Sequence, residues 1–334
     1  MYKKKQLGQF FTTNYEYIFQ NMEIFEGDII EPFAGNCDLV KFINKDVELY
    51  DIDPVNELVN QRDTLLNPPD YENKYVITNP PYLARNKSSC KKIYDKYGYN
   101  DLYKCFLKSI IDSNILGGII IIPLNFLSSI RKADITLRKE FLSRFSISLI
   151  NIFEEQVFVD TKYSVCSIRF ISGKSDNFLV QVYPKNLEMI LKLDKSNNYS
   201  IGGEIYNLSI DKEIKIQRAT KNNLNGLTNL LLKCIDDNED NKISLKYVDD
   251  DKLYIDKTKN LSARSYATLL INLEMTKEDQ IKLADDFNNY LNTQRKKYNS
   301  LFLTNYRESN SIARKRISFI LAFRICNHLI YTNS

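Results

Sequence analysis

Gly27-Asp28-Ile29-Ile30-Glu31-Pro32-Phe33-Ala34-Gly35-Asn36 begins as a short apolar strand and breaks into a turn of small residues around a proline. Downstream, Val47-Glu48-Leu49-Tyr50 reads as a second strand and ends in Asp51-Ile52-Asp53-Pro54. A strand, a small-residue turn, a helix and a strand ending in an acid make up the first half of a nucleotide-binding α/β sheet. The turn lets a ligand approach the backbone at a helix N-terminus, and Asp51 stands where ribose hydroxyls are bound.

Further on, the apolar run Tyr75-Val76-Ile77-Thr78 ends in Asn79-Pro80-Pro81-Tyr82. The Asn79 side-chain oxygen and the Pro80 carbonyl can both accept from one planar amino group. Proline fixes φ and brings no N–H to compete, so the acceptors stay aimed outward. An amine held by two acceptors gives up conjugation with its ring and becomes more nucleophilic. Tyr82 can lie flat on that ring. The arrangement suits alkylation of an exocyclic base nitrogen.

Taken together, these motifs resemble those of S-adenosylmethionine-dependent N6-adenine DNA methyltransferases of restriction–modification systems, in the subclass whose cofactor motifs come first and target recognition last. Gln9-Phe10-Phe11-Thr12 after Gly8 resembles the N-terminal motif that closes over the methionine part of the cofactor. Glu31, Pro32, Phe33, Ala34 and Gly35 match the cofactor loop, and Asp51 with Ile52 the ribose-binding strand end. Asp63, followed by Thr64, matches the acid that bonds the cofactor's adenine. Asn79, Pro80, Pro81 and Tyr82 match the catalytic tetrad. Phe158, in Glu155-Gln156-Val157-Phe158, resembles the ring that stacks on the other face of a flipped base. The ordered set spans roughly residues 6 to 172.

The resemblance implies a Rossmann-like class I methyltransferase fold: a seven-stranded, mostly parallel sheet with helices on both faces, followed by a smaller α+β domain. It implies S-adenosylmethionine as cofactor, double-stranded DNA as partner and a monomer acting in the cytoplasm. It leaves room for a separate cognate endonuclease. Where the cofactor loop usually has a second glycine, this chain has Cys37. If that position needs positive φ, a cysteine is strained there and weakens cofactor affinity. The same tetrad also serves glutamine methyltransferases and RNA methyltransferases, and a degenerate, DNA-binding relative would keep the fold without the activity.

Composition narrows other classes. A chain of 334 residues with 43% hydrophobic content can bury one large and one smaller domain. Its six cysteines form no Cys-x-x-Cys pair, so neither a disulfide framework nor a zinc site is signalled. The start, Met1-Tyr2-Lys3-Lys4-Lys5, leads to no apolar stretch, and no signal peptide is expected. The longest apolar run, Gly117 to Leu124, is too short to span a bilayer. Catalysis through a histidine would have to use His328, the chain's one histidine, on an apolar helical stretch near the C-terminus. Amine methylation needs no strong base. A net charge of +4 leaves nucleic-acid binding to local basic patches.

One such patch follows the tetrad: Arg85, Lys87, Lys91 and Lys92, with tyrosines interleaved, is expected as a phosphate-contacting lid. A boundary is expected at 174/175, placing the catalytic domain in 1–174 and target recognition in 175–334. In the second part, Thr276 and Asp279 signal a helix start. That helix should bury Ile281, Ala284, Phe287, Leu291 and Tyr298. Arg295, Arg307, Arg314 and Arg316 bracket a polar loop and are the candidate DNA contacts there.

Overall fold

The computed structural model describes residues 14–41, 43, 45–158, 164–175, 177–237, 242–256, 265–306 and 314–333. The chain divides into two compact units, the first running through Asp194 and the second built from Lys195–Tyr306 and Arg314–Ser334.

The first unit holds a sheet of nine strands among the described residues. Its strands are β1 (Ile29–Glu31), β2 (Val47–Asp51), β3 (Asn60–Gln61), β4 (Tyr75–Thr78), β5 (Gly117–Pro123), β6 (Phe145–Phe153), β7 (Val165–Ser172), β8 (Phe178–Tyr183) and β9 (Leu187–Leu191). They lie in the order β3-β2-β1-β4-β5-β7-β6-β8-β9. Neighbours from β3 to β5 are parallel, whereas β7 runs antiparallel to both β5 and β6. The central strands are buried along their length, with Ile29, Ile30, Val76, Ile77 and Ile119 to Ile122 at 1% exposure or less. Unbroken apolar runs of this kind belong to strands covered on both faces. Gly118 is required for the close approach of β4 and β5, since a Cβ there would meet the Val76 carbonyl oxygen at 2.3 Å.

The sheet has nine strands where seven were expected, continuing past β6. β8 adds in parallel to the free edge of β6, and β9 folds back on β8. Phe178, Val180 and Val182 bury their side chains on this extension. The boundary expected at 174/175 therefore falls too early, and the first unit runs on to Asp194.

Cover is unequal between the faces. Between β1 and β2 the described helical structure is a single 3-10 turn, Asp38–Val40, where a full helix was expected. The helices gather after β4: α2 (Lys92–Tyr97), α3 (Leu102–Ile111), α4 (Asn125–Ser128) and α5 (Lys132–Arg144), numbered after a short N-terminal α1 (Tyr15–Ile18). Alternation along β7 separates the faces. Phe170 meets Phe141 of α5 at 5.0 Å between ring centres. The neighbouring Ser167 and Arg169 instead donate to the carbonyls of Ile18 and Glu23 at 2.7 and 3.0 Å. Helices thus cover one face here, and the segment after α1 covers the other.

The second unit contains an antiparallel sheet in the order β10-β13-β11-β12, from Ile216–Arg218, Tyr266–Ile271, Leu227–Lys233 and Ser244–Tyr247. With it are α6 (Lys277–Tyr298), α7 (Phe319–Asn333) and a hairpin of β14 (Thr304–Tyr306) and β15 (Arg314–Arg316). The capping box opening α6 is formed: Asp279 N donates to Thr276 Oγ1 at 3.1 Å and Thr276 N to Asp279 Oδ2 at 2.9 Å. Its buried face is rotated slightly from the expected one. Ile281 is exposed, while Leu283 and Gln280 turn inward, and Gln280 Oε1 accepts from Asn229 N at 2.8 Å.

Candidate active site

The strand order reverses between β1 and β4, and in sheets of this kind ligands bind in the crevice beyond the strand ends at that reversal. A cleft lies there, lined by Glu31, Phe33, Gly35, Asp51, Asp63, Asn79 and Pro81 among others. The loop after β1 is held in shape by the two acids expected to serve a ligand. Asp51, 2% exposed, accepts from Gly35 N through Oδ2 at 2.9 Å and from Asp53 N through Oδ1 at 2.8 Å. Glu31, 1% exposed, accepts through Oε1 from Phe33 N at 3.0 Å and from the Thr78 hydroxyl. Its Oε2 is buried without a hydrogen-bond partner among the described residues. Burial pushes the Glu31 carboxyl up to about 8; the bonds from Thr78 and Phe33 oppose this and the Asp51 charge adds to it. Glu31 is thus largely a neutral acid at pH 7.

Cys37 follows the loop at φ 62° and ψ 21°, in the left-handed region that favours glycine. The strain anticipated from the sequence is present. Its side chain is nonetheless used, packed with Ala34 and Val59.

Asp63 begins the other wall. Its Oδ1 accepts from Leu65 N and Leu66 N at 3.1 and 2.9 Å, and Oδ2 takes no protein donor among the described residues. Thr64, expected to touch the cofactor, is buried and donates to the Pro32 carbonyl at 3.0 Å, tying this turn to the loop after β1. Ile52 lines the cleft and is 42% exposed. The motif Gln9-Phe10-Phe11-Thr12 lies outside the described residues.

The tetrad extends from the end of β4 into the same cleft. Pro80 and Pro81 are buried, and Asn79 and Pro81 line the cavity. Tyr82 is turned inward, 5% exposed, with its single hydroxyl proton shared between Asn79 Oδ1 at 2.5 Å and the Ile121 carbonyl at 2.8 Å. Its ring stands edge-on to Tyr103, centres 6.1 Å apart. Burial raises the Tyr82 hydroxyl well above its ordinary value. Phe158 is also buried, at 2%, more deeply than the neighbouring Val157 at 8%. Neither aromatic ring presents a platform in this state.

Residues 35–158 match the family model described as Eco57I restriction-modification methylase. The matched segment includes Asp51, Asp63, Asn79 to Tyr82 and Phe158. S-adenosylmethionine, the cofactor expected from the motifs, agrees with that match, and the cleft fits it. An unpartnered buried carboxyl oxygen at Glu31 suits a hydrogen-bond donor on the ligand, and the open Asp63 Oδ2 an amino group. The exposed Ile52 is an apolar surface for a ring.

Among solved structures, the chain is similar to the type I restriction-modification system methyltransferase subunit from Streptococcus thermophilus at 15% identity, covering 57% of this chain and 50% of that one, TM-score 0.39. It is similar to the type I restriction enzyme EcoKI M protein at 13% identity, covering 65% and 56%, TM-score 0.37. It is also similar to the type IIG restriction endonuclease BpuSI at 14% identity, covering 64% and 35%, TM-score 0.40. The chain spans about half the length of the first solved structures it matches. No curated protein matches it.

Within the first unit, the basic patch after the tetrad is largely turned to internal use. Arg85 pairs with Asp95 at 2.5 Å, and Lys91 donates to the carbonyls of Arg85 and Ser88. Lys87 and Lys92 are exposed and form no ion pair among the described residues. Instead of an open lid toward phosphates, the segment supplies Ser88, Ser89, Cys90 and Ile93 to the cofactor cleft. Sequence reasoning placed none of these four, nor Thr78, in the site; no local motif marks them.

In the second unit, Arg295 makes a bidentate pair with Asp236 at 2.8 and 2.9 Å and is only 13% exposed. That geometry gives it a structural task in place of the expected DNA contact. Arg316 lies in β15, half-buried; Arg314 is in the same strand with its side chain outside the description, and Arg307 lies outside the described residues. Among the described residues no cluster of metal-binding side chains occurs, and no helix is long and apolar enough to cross a membrane.

Proposed function

We propose that the chain transfers a methyl group from S-adenosylmethionine to the N6 amino group of adenine within a short specific sequence of double-stranded DNA. The observation that carries this reading is the placing of Asn79 and Pro81 in one cleft with Glu31, Asp51 and Asp63, so that an amine-holding motif adjoins a nucleotide-binding crevice. When bound, the cofactor supplies an already activated methyl on a sulfonium. The protein's part is then positioning and alignment.

Asn79 Oδ1, held in place by the Tyr82 hydroxyl, is the acceptor for the target amine. The adenine is flipped out of the duplex, and its nitrogen forms a bond to the methyl carbon as the carbon–sulfur bond breaks. The surplus amine proton then leaves to water. Stacking of the base between Tyr82 and Phe158 requires both rings to leave their buried positions, so binding of DNA opens the tetrad. The second unit would recognise the target sequence, the chain would act as a cytoplasmic monomer, and any cognate endonuclease would be a separate protein.

The test is expression in a host lacking adenine methylation, with modified bases mapped across its genome by single-molecule sequencing. N6-methyladenine at one short motif, absent with Asn79→Ala although that variant still binds the cofactor, supports the assignment. An unmodified genome from a folded protein that binds S-adenosylmethionine overturns the DNA substrate and favours RNA or protein. No cofactor binding at all leaves a DNA-binding relative without activity.

A further inference from the structure

The segment after the tetrad is closed at its base. Leu102 N donates to the Leu83 carbonyl at 3.2 Å and Arg85 N to that of Asn100 at 2.9 Å, with an antiparallel bridge between Ala84 and Asp101. The excursion so formed walls the cofactor cleft with its middle and returns through α2.

At the end of α2, Lys96 Nζ donates to the carbonyls of Leu65 and Leu66, both at 2.9 Å, and Tyr97 Oη to that of Leu65 at 2.8 Å. Lys96 Nζ also lies 4.8 Å from the centre of the Tyr97 ring. The two leucines are the same residues whose N–H groups are held by Asp63 Oδ1. The turn is therefore gripped from both sides: on its amides by the acid expected to meet the cofactor's adenine, and on its carbonyls by Lys96 and Tyr97.

We propose that Lys96 and Tyr97 are positioning residues for the cofactor, latching the Asp63–Leu66 turn to the lobe that grows out of the catalytic tetrad. The proposal rests on the reading of the cleft as an S-adenosylmethionine site. Neither side chain lines the cleft; both act through the placing of Asp63. The turn consists of non-repetitive backbone, whose geometry depends on the side chains that hold it. A lysine in such a lobe is ordinarily a solvated cation. Here two carbonyls and a ring face converge on its ammonium.

The test compares wild type, Lys96→Met/Tyr97→Phe and Lys96→Arg for binding of S-adenosylmethionine and of adenosine by equilibrium dialysis. Two or three lost hydrogen bonds of ordinary net strength predict Kd values for both ligands raised about tenfold in the double variant. The effect on adenosine identifies the adenine end of the cleft. Lys96→Arg, which keeps a donor fork, stays within about threefold of wild type. Loss of affinity should appear in Kd and in the KM for the cofactor, while a merely structural role would lower the binding stoichiometry and leave Kd alone. An unchanged Kd for both ligands in the double variant overturns the latch. If that variant does not fold, Tyr97→Phe alone decides, with about a threefold rise expected and no rise overturning. A wild-type protein that binds neither ligand refutes the cofactor reading itself, which the unmutated chain reveals before any variant is compared.

Discussion

Replacing Glu31 by Gln should stabilise the fold at alkaline pH and weaken cofactor binding in the same step. In the unfolded chain this carboxyl ionises at its ordinary value near 4.5, whereas in the fold burial holds its proton up to about 8. Between those values the folded state carries a proton that the unfolded state has released, so stability falls as pH rises through this window. The contribution is complete below 4.5 and gone above about 8. At about 1.4 kcal/mol per pH unit across the window, the ceiling is about 5 kcal/mol. Water entry and relaxation around the ionised carboxylate bring the expectation down to about 2–3 kcal/mol.

Gln does not titrate, and its carbonyl can keep the bonds from Phe33 N and the Thr78 hydroxyl. Its amide occupies the place of the unpartnered Oε2, which is equally unsatisfied in the protonated wild type, so that deficit largely cancels. Urea denaturation of both proteins at pH 5, 6.5 and 8 measures the difference directly, and subtraction removes the other titrating groups. The variant should gain about 2 kcal/mol over wild type between pH 5 and 8 while binding S-adenosylmethionine less well. A stability difference that is the same at pH 5 and pH 8 would refute the buried neutral acid.

Two further substitutions probe the fold around and beyond the cleft. Cys37→Val should destabilise by about 2 kcal/mol, because a β-branched residue tolerates a φ of 62° still less than cysteine does. Cys37→Gly should come out near neutral, since relief of strain is offset by removing the side chain that packs on Ala34 and Val59; thermal melts of the two variants compare them, and equal losses would contradict strain at this position. Arg295→Met removes one half of a partly buried bidentate pair and strands Asp236, so about 2 kcal/mol of stability should be lost in urea titration. Unaltered stability with weakened DNA binding would return Arg295 to the nucleic-acid interface.

What the sequence made legible is what depends on near neighbours. Glu31 to Gly35 and Asp51 can be read because a turn, a close backbone approach and an acid at a strand end are local geometry, and the structure brings them together through the Asp51–Gly35 bond. The capping box of α6 is local in the same sense, decided within three residues. The continuation of the sheet through β8 and β9 was not legible. Phe178 to Tyr183 looks like a strand anywhere, and only its pairing with Leu149 to Phe153 assigns it to the first unit. Nor could the fate of the lysines be read. A lysine contributes the same charge to a sequence whether it meets a phosphate or a carbonyl, and the carbonyl that takes Lys96 lies thirty-one residues back along the chain.

The tetrad carries this distinction furthest. Its residue types foretell an acceptor pair and a stacking ring, but not that the ring's own hydroxyl occupies the acceptor. Tyr82 shares its one hydroxyl proton between Asn79 Oδ1 and the Ile121 carbonyl, which ties the amide to β5. A half-buried amide oxygen left unsatisfied would be destabilising, and an amide free to rotate would not hold an amine at a set angle. The Tyr82 hydroxyl answers both needs: it donates to the amide oxygen and orients the side chain, so that an amine is met at a fixed angle. Under the proposed function, the incoming adenine then meets an acceptor that is already oriented. The displacement required of the Tyr82 ring accompanies the binding of DNA, before the methyl group moves.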